Sequence, residues 1–291
     1  MMNAKKKKGR RRGRKNQAMK IVSTSIVYLI LILFAILFIL PFIIALSASL
    51  TTPENIFDFK LIPNPIDIGN YVRLFSENNV MNAFLNTFLY IVPPVFVGMI
   101  FSTCAAYALA RLKFRGRKAI FYILISTMTI PGIIILMPSY DLFVNVYKWY
   151  GTPLPIIVPG LFGSVGVMFF LYQYFLSLPK ELEEAAEVDG LTRWGIFAKI
   201  IVPISFPAIA TQLILSFNGA YNDYMTPLLY VGTKPQLFTI QLLVNSLSTA
   251  QNVKYTLLMA GAVTALLPTM VLYVLCQRFF VQGVTMSGIK G

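Results

Sequence analysis

The chain has 291 residues, 57% of them hydrophobic and only 12% charged, with a net charge of +14, whereas a soluble domain carries about 25% charge. That balance excludes an ordinary soluble globule and predicts a protein that crosses a membrane several times. Histidine is absent, which excludes an imidazole base, a proton relay or a His metal ligand; the two cysteines, Cys104 and Cys276, fall in apolar runs and suggest neither a disulfide framework nor a metal site.

Residues 5–20 hold ten basic residues and no acid. They predict a basic cytoplasmic tail over 1–20, disordered and drawn to anionic lipid. A nucleic-acid-binding arm would want aromatics between the charges, and there are none. The first apolar run, 21–46, suffices for a bilayer core that needs about twenty residues. It is too long for a cleavable signal peptide, and no small-residue cleavage site follows it. Residues 47–83, with Pro53, Pro63 and Pro65, form an extracytoplasmic connector. A second span covers 84–110, opened by Asn86 and Thr87 and kinked at Pro93-Pro94. Arg111 to Lys118 then places five basic residues in eight. The third span covers 120–136, interrupted by Pro131-Gly132 and Pro138. The fourth covers 155–176, where Gly160, Gly163 and Gly166 allow close helix contact. The fifth and sixth spans cover 204–229 and 257–280, and a short polar tail fills 282–291. With the N-terminus inside, the inner segments carry twenty basic residues and the outer ones five. That positive-inside bias puts both termini and the stretch 177–207 in the cytoplasm.

The stretch 177–207 holds five of the chain's eleven carboxylates: Glu181, Glu183, Glu184, Glu187 and Asp189. Pro179 suits the first turn of a helix, and the following glutamates lie near its positive end. Leu182, Ala186 and Asp189 share a face by spacing. Gly190 suits a left-handed helix stop. Thr192 suits the cap of a second short helix with Trp194, Phe197 and Ile201 on one side. Pro203 and Pro207 break that helix and return the chain to the membrane.

Glu184-Ala185-Ala186, three residues, Gly190, nine residues, then Ile200, one residue and Val202-Pro203 resembles the EAA loop of ABC importer permeases. Val202 stands where that family has Leu. Asp189-Gly190 is similar to the carbohydrate-importing branch. Three further stretches share the resemblance: Asn70-Tyr71 to Leu74-Phe75; Ala105 to Arg111 with Phe114 and Gly116; and Gln277 to Gly283 with Gly288-Ile289-Lys290-Gly291. The resemblance implies an all-α membrane protein with six transmembrane helices, the type I ABC importer permease fold, in a bacterial cell membrane. The permease core then covers 84–281. It implies an ATPase-coupling role for Glu184, Ala185, Ala186, Asp189, Gly190 and Pro203, and an ATPase-contacting tail at Gly288, Ile289, Lys290 and Gly291. The implied partners are a second homologous permease, two ATP-binding subunits and an extracytoplasmic solute-binding protein, with lipid around them and no nucleic acid. ATP and Mg would be bound by the partner ATPases, with no cofactor or metal in this chain.

The chain has no G-x-x-x-x-G-K-[ST] phosphate loop and is therefore not the motor. Asp223 is the one acid expected within a span, which speaks against ion coupling. No paired aspartates or serine–histidine set suggest an intramembrane enzyme. Phe217 to Tyr224 with Pro227 resembles the family's F-x-x-x-W-N-D-Y-x-x-P, with Tyr221 for Trp. Asn218, Tyr221, Asn222 and Asp223 are thus candidates for the substrate pathway, or equally a hydrogen-bond cluster that holds helices together. The expected function is a permease subunit that moves a sugar or oligosaccharide into the cell. The alternative is another binding-protein-delivered solute, such as a polyol or glycerol phosphate.

Overall fold

The apolar runs become helices, and in the computed structural model the described residues form no other regular structure. The structure describes residues 2–56, 58, 60–248 and 254–288, with side chains within 23–277. They group into two units, Met1–Tyr71 with Lys254–Val263, and Val72–Val253 with Thr264–Gly291.

In the first unit, α1 (Met2–Ser49) contains a candidate span, Ser23–Ser49. Its apolar residues from Ile26 to Leu40 stand exposed on every side. A helix that is hydrophobic all round needs lipid or another protein around it. The helical backbone continues back through the basic tail, where disorder was expected; Lys and Arg are good helix formers, and extending a helix needs no new nucleus. The tail's side chains lie outside the described residues. The connector is tied down. Asn70, fully buried, donates from Nδ2 to the carbonyls of Ser49 and Thr51, each at 2.9 Å. The hydroxyls of Tyr71 and Ser49 meet at 2.7 Å, and Ser47 Oγ donates to the Lys60 carbonyl at 2.6 Å. The Asn70-Tyr71 pair thus fastens the connector to the end of α1, as α2 (Gly69–Glu77) begins.

In the second unit, α3 (Val80–Arg111) is the helix that the others pack on. It starts at Val80 rather than at 84, because Asn79 takes the left-handed conformation before it (φ 49°). Thr87 therefore lies inside the helix, buried, where its hydroxyl donates to Ala83 O and accepts from the Ile240 N–H. Pro93 and Pro94 are carried within α3 without a break. The third span is α4 (Arg117–Thr127) and α5 (Gly132–Asp141), the latter running on in a π-helical turn, Leu142–Val146. The two halves bend by 92° at the break before Gly132, where Pro131-Gly132 foretold an interruption.

The fourth span is α6 (Leu154–Leu161) and α7 (Val165–Ser177). Its glycines divide by role. A Cβ at Gly160 would lie 2.6 Å from Pro94 Cβ, and one at Gly98 only 2.3 Å from the Gly160 carbonyl oxygen, whereas at Gly166 the nearest neighbour is 3.7 Å away. Gly160 and its neighbour Gly163 thus make the close contact with α3, and Gly166 does not. Gly163 has φ +90°, so the span is interrupted there. Ser102 of α3 repairs the gap: its hydroxyl accepts from the Ser164 N–H at 2.9 Å and lies 3.3 Å from the Ser164 carbonyl, to which it donates.

The acidic stretch folds as α8 (Glu181–Val188), α9 (Arg193–Ile196), a π-helical turn at Phe197–Ile201 and α10 (Val202–Ile204). A 74° bend then leads into α11 (Phe206–Tyr221). This span ends at Tyr221 rather than 229, because Asp223 accepts from the Thr226 N–H at 3.1 Å and starts α12 (Met225–Val231). After α13 (Ile240–Ser248), α14 (Tyr255–Gly288) includes the last candidate span, Tyr255–Gln277, and its backbone runs on through most of the expected polar tail. Four helices among the described residues are long and apolar enough to cross a membrane, or six if each bent pair is one span.

Candidate functional site

Helix α8 has two different faces. Glu183 and Ala186, one turn apart, are buried. Glu181, Glu184, Ala185 and Val188 are exposed, at the spacing that puts residues on one side of a helix. Val188 is 88% exposed. Leu182 is exposed too, so the face that packs inward is that of Glu183 and Ala186. Pro179 lies before the helix, whose first turn is closed by the Lys180 carbonyl accepting from the N–H groups of Glu183 and Glu184.

The end of α8 explains Gly190. Its φ is +82°. The Leu191 N–H donates to Ala186 O, and the Gly190 N–H to Glu187 O, both at 3.0 Å. That pair of bonds is the Schellman stop, which wants glycine at the left-handed position. The Glu187 and Arg193 side chains form an ion pair across the turn. Thr192 caps α9 by accepting from the Gly195 N–H at 3.2 Å. Phe197 and Ile201 are buried beneath; Trp194 is 67% exposed, yet its ring packs on Phe197 with centroids 5.2 Å apart, so it shares their side at its solvent-facing edge. The bend falls at Ser205, between the exposed Pro203 and the half-buried Pro207.

Sequence reasoning missed what seats α8. Glu183 Oε1 lies 3.1 Å from Nε of Arg111, the last residue of α3, with the two side chains 9% and 5% exposed. The contact lacks hydrogen-bond alignment, so charge is what holds it. Arg111 also donates to the carbonyls of Phe175 and Leu178 at the end of α7. The signal available in the sequence was that Glu183 shares the Ala186 face and that Arg111 directly ends an apolar run.

The motif residues therefore form one exposed ledge, Glu184, Ala185, Asp189 and Gly190, on a buried base that includes Ala186. A model of the family described as "Binding-protein-dependent transport system inner membrane component" matches residues 98–286, which include this ledge. The chain belongs to that family. It is 32% identical over 237 residues to an arabinooligosaccharides transport system permease of Halalkalibacterium halodurans, covering 81% of this chain and 82% of that one. It is 32% identical over 225 residues to an osmoprotective compounds uptake permease of Synechocystis, covering 77% and 75%. With a trehalose transport system permease of Mycobacterium tuberculosis it shares 29% over 249 residues, covering 84% and 90%. A bacterial ABC transporter involved in alginate import has the same fold, with a TM-score of 0.78 at 23% identity over 89% of this chain and 96% of that one. The chain is thus a multi-pass membrane component of a binding-protein-dependent transport system with the type I importer permease fold.

The structure separates the four pathway candidates of this transport component. Tyr221 is buried and its hydroxyl donates to the Ala265 carbonyl of α14 at 2.7 Å. Asp223 caps α12. Both border a cleft of about 350 Å³ whose polar lining includes Thr87, Ser102, Ser164 and Thr226. Asn218 and Asn222 are exposed and bond to each other, Nδ2 of Asn222 donating to Asn218 Oδ1 at 3.1 Å, with Gln241 alongside; they do not border the cleft. Of the proposed tail contacts, Gly288 ends α14, while Ile289, Lys290 and Gly291 lie outside the described residues.

Proposed function

We propose that this chain is the non-catalytic permease subunit of an ATP-driven importer that carries a sugar or oligosaccharide into the cell. The observation that carries this reading is the exposed ledge of α8, set on a buried seat in a chain of this family. The names of its relatives, which include arabinooligosaccharides and trehalose permeases, support the solute class. The osmoprotective compounds permease favours a second reading, a small polyol-like solute. The working complex contains a second, related permease and two ATP-binding subunits that hold ATP and Mg. An extracytoplasmic binding protein delivers the solute. Both termini and the EAA loop face the cytoplasm by the count of basic residues. There α8 docks on an ATPase subunit, with Glu184 meeting a basic residue, Ala185 allowing close approach, the buried Ala186 letting α8 sit close on its seat, and Gly190, Asp189 and Pro203 shaping the loop. The C-terminal residues 288–291 reach the same ATPase pair.

Co-purification tests this. Glu184→Lys is expected to leave the chain in the membrane and to lose the ATPase and solute uptake together. The purified chain alone is expected to turn over no ATP. An ATPase retained at the wild-type ratio by Glu184→Lys, with uptake intact, would refute docking through this ledge.

A further inference from the structure

Among the described residues, five buried side-chain polar atoms have no hydrogen-bond partner: Tyr107 Oη, Arg111 Nε, Tyr174 Oη, Glu183 Oε1 and Ser205 Oγ. Buried polar groups are rarely left so, and these five are not scattered. Tyr107 and Arg111 occupy the last two turns of α3, Tyr174 the last turn of α7, Glu183 the seat of α8, and Ser205 the bend before α11. All belong to the end of the helices that carries the ledge. Tyr107 packs against Phe197 with ring centroids 4.9 Å apart and lies within electrostatic reach of Arg111, Glu183, Glu187 and Arg193.

We propose that Arg111 and Glu183 are positioning residues of the transport cycle: their buried ion pair is the linkage through which a movement of α8 reaches the spans Val80–Arg111 and Leu154–Ser177. This rests on the proposed docking of α8. One guanidinium holds three elements at once, the α8 carboxylate, the two carbonyls at the end of α7, and its own helix α3. Separating the pair would leave two buried charges uncompensated, so a shift of α8 on its seat carries the helix ends with it. The hydrogen-bonding capacity at this end of the helices, the Tyr107 hydroxyl included, is left unfilled. A fully satisfied network would fix one arrangement.

The test uses the whole complex in proteoliposomes with solute-loaded binding protein and reads solute imported per ATP hydrolysed. A merely structural role would lower both quantities together and leave that ratio alone. In Glu183→Gln the ratio is expected to fall about tenfold, within the usual range for a coupling free energy between sites. Arg111→Lys keeps the charge but not the planar fork that reaches three acceptors, and is expected to fall in between. The double variant Arg111→Gln/Glu183→Gln leaves no uncompensated charge; it is expected to assemble at wild-type amounts with the ratio still lowered. A wild-type ratio in the double variant overturns the inference. So does failure of the double variant to assemble, which would make the pair a support of the fold alone. If the wild-type complex imports no solute, it is the proposed function that fails, before any variant is compared.

Discussion

Replacement of Gly190 gives a measurement in which backbone conformation is isolated from packing. The residue has φ +82°, and a Cβ built there meets no atom within 4 Å. Within this chain any loss on substitution is therefore conformational, and the remaining explanation is bulk at the proposed ATPase contact. An L-residue held left-handed costs about 1–2 kcal/mol, which is roughly a 5–30-fold shift in the population of the correct turn. Asn tolerates that region better than other residues, and a β-branched side chain resists it most. The expected order of ATPase retained on co-purification is Gly, then Asn, then Leu, then Val, with solute uptake following the same order and the amount of chain in the membrane constant. Asn and Leu are nearly equal in size, so the pair separates the two explanations. Equal losses for Asn and Leu, or wild-type retention in Gly190→Val, would refute the argument that the Schellman stop at the end of α8 sets the ledge.

Gly98→Ala should act in the opposite way, through space: its Cβ would sit 2.3 Å from the Gly160 carbonyl oxygen, and overpacking of this kind costs about 1–3 kcal/mol or more, so less of the chain should be recovered folded from membranes on mild heating in detergent, whereas Gly166→Ala should match the wild type. Asp223→Asn keeps an oxygen for the Thr226 N–H while removing the charge, and is expected to alter uptake with the complex still assembled; loss of assembly would assign Asp223 to helix packing. On a background without Cys104 and Cys276, cysteines at the exposed positions 60 and 148 should react with an impermeant reagent in intact cells and one at 115 should not; the reverse pattern would overturn the charge-based orientation.

The features legible in the sequence are those that local chemistry decides. Long apolar runs became spans, Pro131-Gly132 marked a real bend, and Gly190 and Thr192 took the stop and cap that their side chains suit. Less legible was whatever depends on residues distant in the chain. Arg111 reads as one more basic residue after a span, and only the fold shows it beneath α8, facing Glu183. Tyr221 reads equally as a pathway residue or as part of a cluster that holds helices together, and only the fold shows the Ala265 carbonyl that accepts from its hydroxyl. Trp194 shares helical spacing with Phe197 and Ile201 and does pack on Phe197, yet a helix this short need not bury its first turn, and most of the indole stays exposed. The early end of α11 depends on Asp223 accepting from the chain ahead of it, a bond that competes with continuing the helix.

The repair of the fourth span by Ser102 has a consequence for biosynthesis. Ser102 lies nine residues before the end of α3, about 14 Å along a helix, and so inside the candidate span Val80–Arg111. An unpaired backbone amide there costs several kcal/mol with no water to relieve it. The segment Leu154–Ser177 thus cannot settle in lipid in its final broken form by itself. It needs the hydroxyl of a helix that the ribosome has already delivered. Because α3 precedes it in the chain, vectorial synthesis supplies that hydroxyl first, and a circular permutant that made residues 154–177 before residues 80–111 would have to hold this span at the translocon until its partner emerged.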